Sequence, residues 1–267
     1  MYGVLYRTLQ QEGHVIRSCL AIGLTELRNA NLNEKGRYYS AFFQLAIGIE
    51  RLAKLALILD HMAQNGLQAP GQVNGHDLRT LVSKVSTLTT ARGYALSSPF
   101  PTDPLCTRVL AFLSDFATGM RYANLDALAS GKQKRDPLSE WNEILQNTAA
   151  TKVSEATKYQ ISTHSAAIAQ DLEGRARVVA SDLASKPLTL STAFSEPSIL
   201  DSASKYLVWE IFTLLVPLRD AVVEAGHAAD AIAVTADPNG DRVPVLREFF
   251  DFIQLNRKIV FRKKRWP

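Results

Sequence analysis

Arg121, Tyr122 and Asn124 offer a cation, an aromatic face and an amide within a few residues of one another. The set suits a nucleotide, because a guanidinium attracts phosphate, a ring stacks on a base and an amide reads a base edge. An Arg-Tyr pair also closes helices by packing alone, and the residues leave these two readings level. Lys132, Lys134 and Arg135 follow closely and would give such a groove basic neighbours. A second cationic cluster, Arg262, Lys263, Lys264 and Arg265, precedes Trp266. Its charges would displace counterions from a phosphate backbone while the indole stacks on a base. The plainer alternative is a solvated, partly disordered terminus. His76 and Asp77 stand where a helix should begin, a place that favours phosphate. Asp77 as the helix cap and His76 as a hydrogen-bonded loop anchor explain the pair without a ligand, and that is the reading we favour. Glu50, Arg51 and Lys54 likewise read as a helical ion pair on a polar wall.

Metal chemistry finds little support. Asp237, Asn239, Asp241 and Glu248 fall at positions 1, 3, 5 and 12 of a calcium-loop register. The register fails at position 6, where the sharp turn needs Gly and the chain has Arg242, and Pro244 occupies position 8. A simple turn accounts for the acids. Cys19 and Cys106 are far apart and stand in no Cys/His cluster, so no zinc site and no disulfide framework is expected. The Walker loop, the dinucleotide glycine fingerprint, the nucleophile elbow and the His-Glu-x-x-His helix are all missing. No metal and no cofactor is expected.

The elements that must position these residues are helical. The 267 residues are 46% hydrophobic and 21% charged, a composition that excludes collagen-like and disordered classes. The net charge is +4, but the six cations from Arg257 to Arg265 exceed that total, so the remainder of the chain carries −2 and is no basic surface. Apolar residues recur at helical spacing over about 5–29 and 35–65, from Leu78 to Leu88 and from Leu105 to Met120, which predicts four helices. The second, with Phe42, Leu45, Ile49, Leu52, Ala56 and Leu59, has the narrowest polar face and should be central. The stretch Gly131 to Pro137 marks a boundary, after which a long helix is expected over about 140–184. Residues 185–200 read as irregular. A helix over about 201–233 follows, kinked at Pro217, and a last one runs from Val245 to Leu255. The division is therefore a helical bundle at 1–130, an added helical layer at 131–255 and a basic tail at 256–267. The apolar run Tyr206 to Leu218 is too short for the roughly 20 residues of a membrane span. The early polar residues argue against a secretory signal, and a reducing cytoplasm is the expected setting.

Three segments, in order, resemble the HEPN superfamily of helical domains: 36–57 (GRYYSAFFQLAIGIERLAKLAL), 75–82 (GHDLRTLV) and 116–126 (FATGMRYANLD). The resemblance covers roughly residues 34–126. It implies an all-α, HEPN-like bundle, RNA or nucleotide as partner, pairing into a homodimer, and a setting in bacterial defence, toxin–antitoxin pairs or RNA processing. Active members carry Arg-x(4–6)-His, in which the imidazole moves protons and the guanidinium holds phosphorane charge without a metal. Here Arg121 is followed by Tyr122, Ala123, Asn124, Leu125 and Asp126, with no His, which removes the support for metal-independent ribonuclease activity at that place. The literal match, Arg7 to His14, lies at an unusual position, and a solvated pair on the first helix explains it. The alternative function is a non-enzymatic dimerisation or protein-interaction module, which would expose an apolar patch on the 201–233 helix.

Overall fold

The computed structural model describes residues 3–131, 135–254 and 256–267. It is all-α: α1 (Val4–Asn29), α2 (Gly36–Gln64), α3 (Leu78–Arg92), α4 (Pro104–Thr118), α5 (Ala123–Ser130), α6 (Pro137–Lys152), α7 (Glu155–Leu172), α8 (Leu190–Ala236) and α9 (Arg257–Arg262). Short 3-10 turns stand at Met120–Tyr122 and Leu246–Phe250. No strand forms among the described residues, and no helix is long and apolar enough to cross a membrane.

Helix starts are written in side chains. Asp77, Asp103 and Asp136 each accept hydrogen bonds from the first-turn N–H groups of α3, α4 and α6. In the latter two, the next residue is Pro, whose missing N–H costs nothing at a first helical position. The start of α1 is capped from far away: the Asp241 carboxylate accepts the Leu5 N–H at 2.8 Å. The acidic turn that mimicked a calcium loop thus fastens a helix end.

α2 lies at the centre. Phe42 is fully buried, with its ring 4.7 Å from Phe112, 5.4 Å from Phe116 and 5.0 Å from Trp141, so α2, α4 and α6 meet in one aromatic knot. α1 approaches α2 closely at Gly23, where a Cβ would lie 2.7 Å from the Leu45 side chain and 2.9 Å from its backbone nitrogen. α8 packs against α2 as well as α1, α3, α4, α6 and α7, so residues on both sides of the 131–137 stretch share one core.

Three expected elements are corrected. The helix foreseen over 140–184 is two helices, because Val153 turns to an extended backbone and Ser154 caps α7 by accepting the Thr157 N–H. It ends at Leu172 ahead of Gly174, whose φ is +72°. The irregular stretch 185–200 is largely helical: Thr189 and Thr192 exchange side-chain and backbone hydrogen bonds as a capping box, and α8 runs on through Pro197 and Pro217. Of the final helix expected over Val245–Leu255, the described residues form only the turn Leu246–Phe250, Leu255 lying outside them, and a helix falls inside the basic tail as α9.

Candidate functional site

Arg121 and Tyr122 occupy the 3-10 turn between α4 and α5, and both side chains are exposed. The guanidinium carbon lies 5.0 Å from the ring centroid, so the two form one cation–aromatic surface facing solvent. One residue further on, α5 begins, and Asn124 donates from Nδ2 to the Tyr39 hydroxyl of α2 at 3.1 Å. This bond ties the turn to the central helix.

Asn124 and Tyr39 line a cleft of about 670 Å³ between α2, α5, the start of α6 and the loop at 183–185. The volume lies within the roughly 300–1,000 Å³ of small-molecule sites. Lys35 and Ser139 supply further polar groups, while Ala123, Ala127, Leu138 and Leu183 supply apolar wall. Lys35 donates to the Asp182 carbonyl at 2.6 Å and to Ser181 Oγ at 3.2 Å, which pins the loop over the start of α2. Burial holds the Tyr39 phenol above its ordinary value; the Asn124 hydrogen bond opposes this and the Asp136 charge adds to it. Tyr39 is therefore a neutral hydroxyl near pH 7. Asp136 already accepts the Leu138 and Ser139 N–H groups, so the α6 terminus is satisfied and the cleft mixes one cation with one anion. Apolar wall and hydrogen-bonding groups thus share one cleft.

The other predicted residues scatter. Arg135 is exposed but committed: it reaches Glu140 at 2.7 Å and Asp115 at 3.7 Å, and Asp115 also pairs with Arg79. Lys132 and Lys134 lie outside the described residues. His76 anchors its loop, with Nδ1 3.0 Å from Glu50 Oε1, and Glu50 also accepts from Lys54 at 2.8 Å. Burial pushes the Glu50 carboxyl up, yet Lys54 and His76 outweigh it and hold the group below its ordinary value. Arg7 bonds back to Gly3 within its own turn, and the His14 ring meets Phe249 edge-on at 4.9 Å. The two are separated by about 10.5 Å of helix rise, each engaged elsewhere.

Trp266 is corrected most sharply. It is buried, its ring is 5.8 Å from Phe212, and its backbone N–H donates to Thr25 Oγ1 at 3.0 Å. It is a core residue and cannot stack on a base. The tail is neither loose nor wholly solvated: Asn29 holds the Lys264 carbonyl at 2.7 Å. Arg262, Lys264 and Arg265 are exposed and Lys263 is half-buried. A half-buried aromatic pair instead joins Phe261 of the tail to Tyr206 of α8. Tyr206 and Phe261 meet edge-on at 5.0 Å, with Arg257 4.8 Å from the Phe261 centroid and Lys205 5.4 Å from that of Tyr206. The i,i+4 spacing of Arg257 and Phe261 was a visible signal, but only the packing of α9 on α8 joins them to Tyr206.

The cleft and the tail lie at one end of the molecule. Tyr39 and Lys35 begin α2, Arg37 of α2 pairs with Glu26 of α1, and Thr25 and Asn29 of α1 hold the tail. The segments 36–57, 75–82 and 116–126 fall on α2, on the capped start of α3, and across the α4–α5 turn. No protein-family model matches the chain, and no curated protein or solved structure matches it either.

Proposed function

We propose that this protein is a HEPN-like binder of RNA or nucleotides, with a base seated in the cleft between α2, α5 and α6 and the Arg121–Tyr122 pair at its approach. The observation that carries the reading is the exposed cation–aromatic pair one residue from a nucleotide-sized cleft lined by Tyr39, Asn124 and Lys35. Exposed Arg262, Lys264 and Arg265 at the same end supply phosphate contacts. The resemblance adds the setting of bacterial defence, toxin–antitoxin pairs or RNA processing. Binding, rather than metal-independent cleavage, is the proposed activity, because no imidazole accompanies Arg121.

The test is binding of labelled single-stranded RNA across a salt series. Tyr122→Ala should cost about 1–3 kcal/mol, the worth of one stacked base. Arg121→Ala should weaken binding and flatten the salt slope by about 0.7, the value for one phosphate contact on a single strand. Binding that neither substitution alters would refute this site.

A second reading has its own observation. Leu125 and Leu128 on α5 are 65% and 85% exposed, an apolar strip on an outer helix that fits dimerisation or a protein partner. The patch expected on the 201–233 helix is not there, since α8 turns most of its apolar run inward. If Leu125→Asp halves the mass in solution and leaves RNA binding untouched, α5 is an interface and the cleft is unaffected.

A further inference from the structure

At the opposite end of the molecule, a cavity of about 230 Å³ lies between α8, the α3–α4 connection and the Leu246–Phe250 turn. Its polar lining is Ser97, Arg219, Asp220, Glu224, His227 and Arg247. About 39 Å of α8 separates His227 from Asp201, which neighbours the tail. The cavity therefore belongs to a different site from the cleft.

Its floor is fixed. Asp220 is buried, accepts the Ser97 N–H at 2.7 Å and receives Arg219 Nε at 2.9 Å. Arg219 also donates to the Ile253 carbonyl and to Ser97 Oγ, so one guanidinium ties three segments together and is used up. The rim differs. The side chains of Glu224, His227 and Arg247 make no hydrogen bond or ion pair with any described residue. His227 acts electrostatically on Asp230, which is itself paired with Arg242, and Glu224 acts on Tyr94. An unpartnered cation, an unpartnered anion and an imidazole thus face one small space.

We propose that this cavity binds an amino-acid-sized zwitterion, with its carboxylate on Arg247, its ammonium on Glu224 and His227 hydrogen-bonding at the mouth. The charges select the class. A simple anion drawn to Arg247 would sit against Glu224, and a simple cation drawn to Glu224 would sit against Arg247. A ligand bearing both charges satisfies both groups, and guanidinium and carboxylate meet as a two-point hydrogen-bonded fork. The volume selects the size, since 230 Å³ falls below the roughly 300–1,000 Å³ of sites for larger molecules and shuts out a nucleotide.

The test uses the full chain with isotope-labelled histidines, and His227→Gln identifies the His227 ring signal by its loss. L-Alanine, L-serine, L-aspartate and L-arginine are titrated to millimolar levels, with propionate and ethylamine as single-charge controls. At least one amino acid should move the His227 signal saturably while neither control does. Arg247→Ala and Glu224→Gln should each weaken that binding about tenfold or more. Both side chains lack partners, so the variants should keep the parent melting temperature. An unmoved His227 signal with all four amino acids overturns the proposal, as do controls that act as strongly as the amino acids.

Discussion

Tyr122 and Trp266 are both aromatic residues beside cations, yet the fold uses them in opposite ways, one half exposed and the other sealed against Phe212. Substitution should separate them. Trp266→Ala opens a core cavity and should destabilise the protein by about 3–5 kcal/mol, measured by denaturant unfolding, whereas Tyr122→Ala should affect RNA binding and leave stability within about 0.5 kcal/mol. Glu210 gives a pH-dependent case. It is buried on α8, and burial pushes its carboxyl above the ordinary value; Asp103 adds to the rise and Lys152 and Arg257 oppose it. A carboxyl whose folded value is raised weakens the fold above that value, and the penalty disappears once pH falls below the unfolded value near 4.3. Glu210→Gln should therefore raise the melting temperature at pH 7, with the gain shrinking towards pH 4.

Helices depend on what neighbours permit, and α1 shows this at Gly23. Gly23→Ala would set a methyl group against the Leu45 backbone, which cannot swing aside as a side chain can. The expected loss is about 1–3 kcal/mol by thermal or denaturant unfolding, with the helices forced apart. Such spacing also explains what the sequence revealed. α1 to α4 were legible because each carries an apolar stripe with Pro, Gly or Asp at its ends, and the Asp77 cap was read correctly. The start of α8 was hidden because its capping box uses Thr at both positions, where Glu or Gln usually closes it, and because Pro197 reads as a breaker. The break at Val153 was hidden because it depends on Ser154, an ordinary residue within a helical pattern. At the candidate site, Arg121, Tyr122 and Asn124 were legible as neighbours in sequence. Tyr39 and Lys35 were not, since only the packing of α5 on α2 brings them to the same cleft.

Over the whole molecule, the core running from Leu9 to Trp266 makes α8 a shared wall for helices on both sides of the 131–137 stretch. A fragment of residues 1–130 would leave the α8-facing side of α2 bare, so we expect no cooperative melt from it by circular dichroism; a sharp transition would show that the first helices stand alone. The distant cap on α1 carries a consequence for the making of the protein. Leu5 waits for a carboxylate 236 positions later in the chain, and the other end of the same helix waits for the Lys264 carbonyl and the Trp266 N–H. At about 5–20 residues per second, a ribosome needs on the order of 10–50 s to cover that interval. Until the C-terminal segment is made, neither the Asp241 cap on Leu5 nor the contacts of Thr25 and Asn29 with the tail can form, so these bonds belong to the last stage of folding.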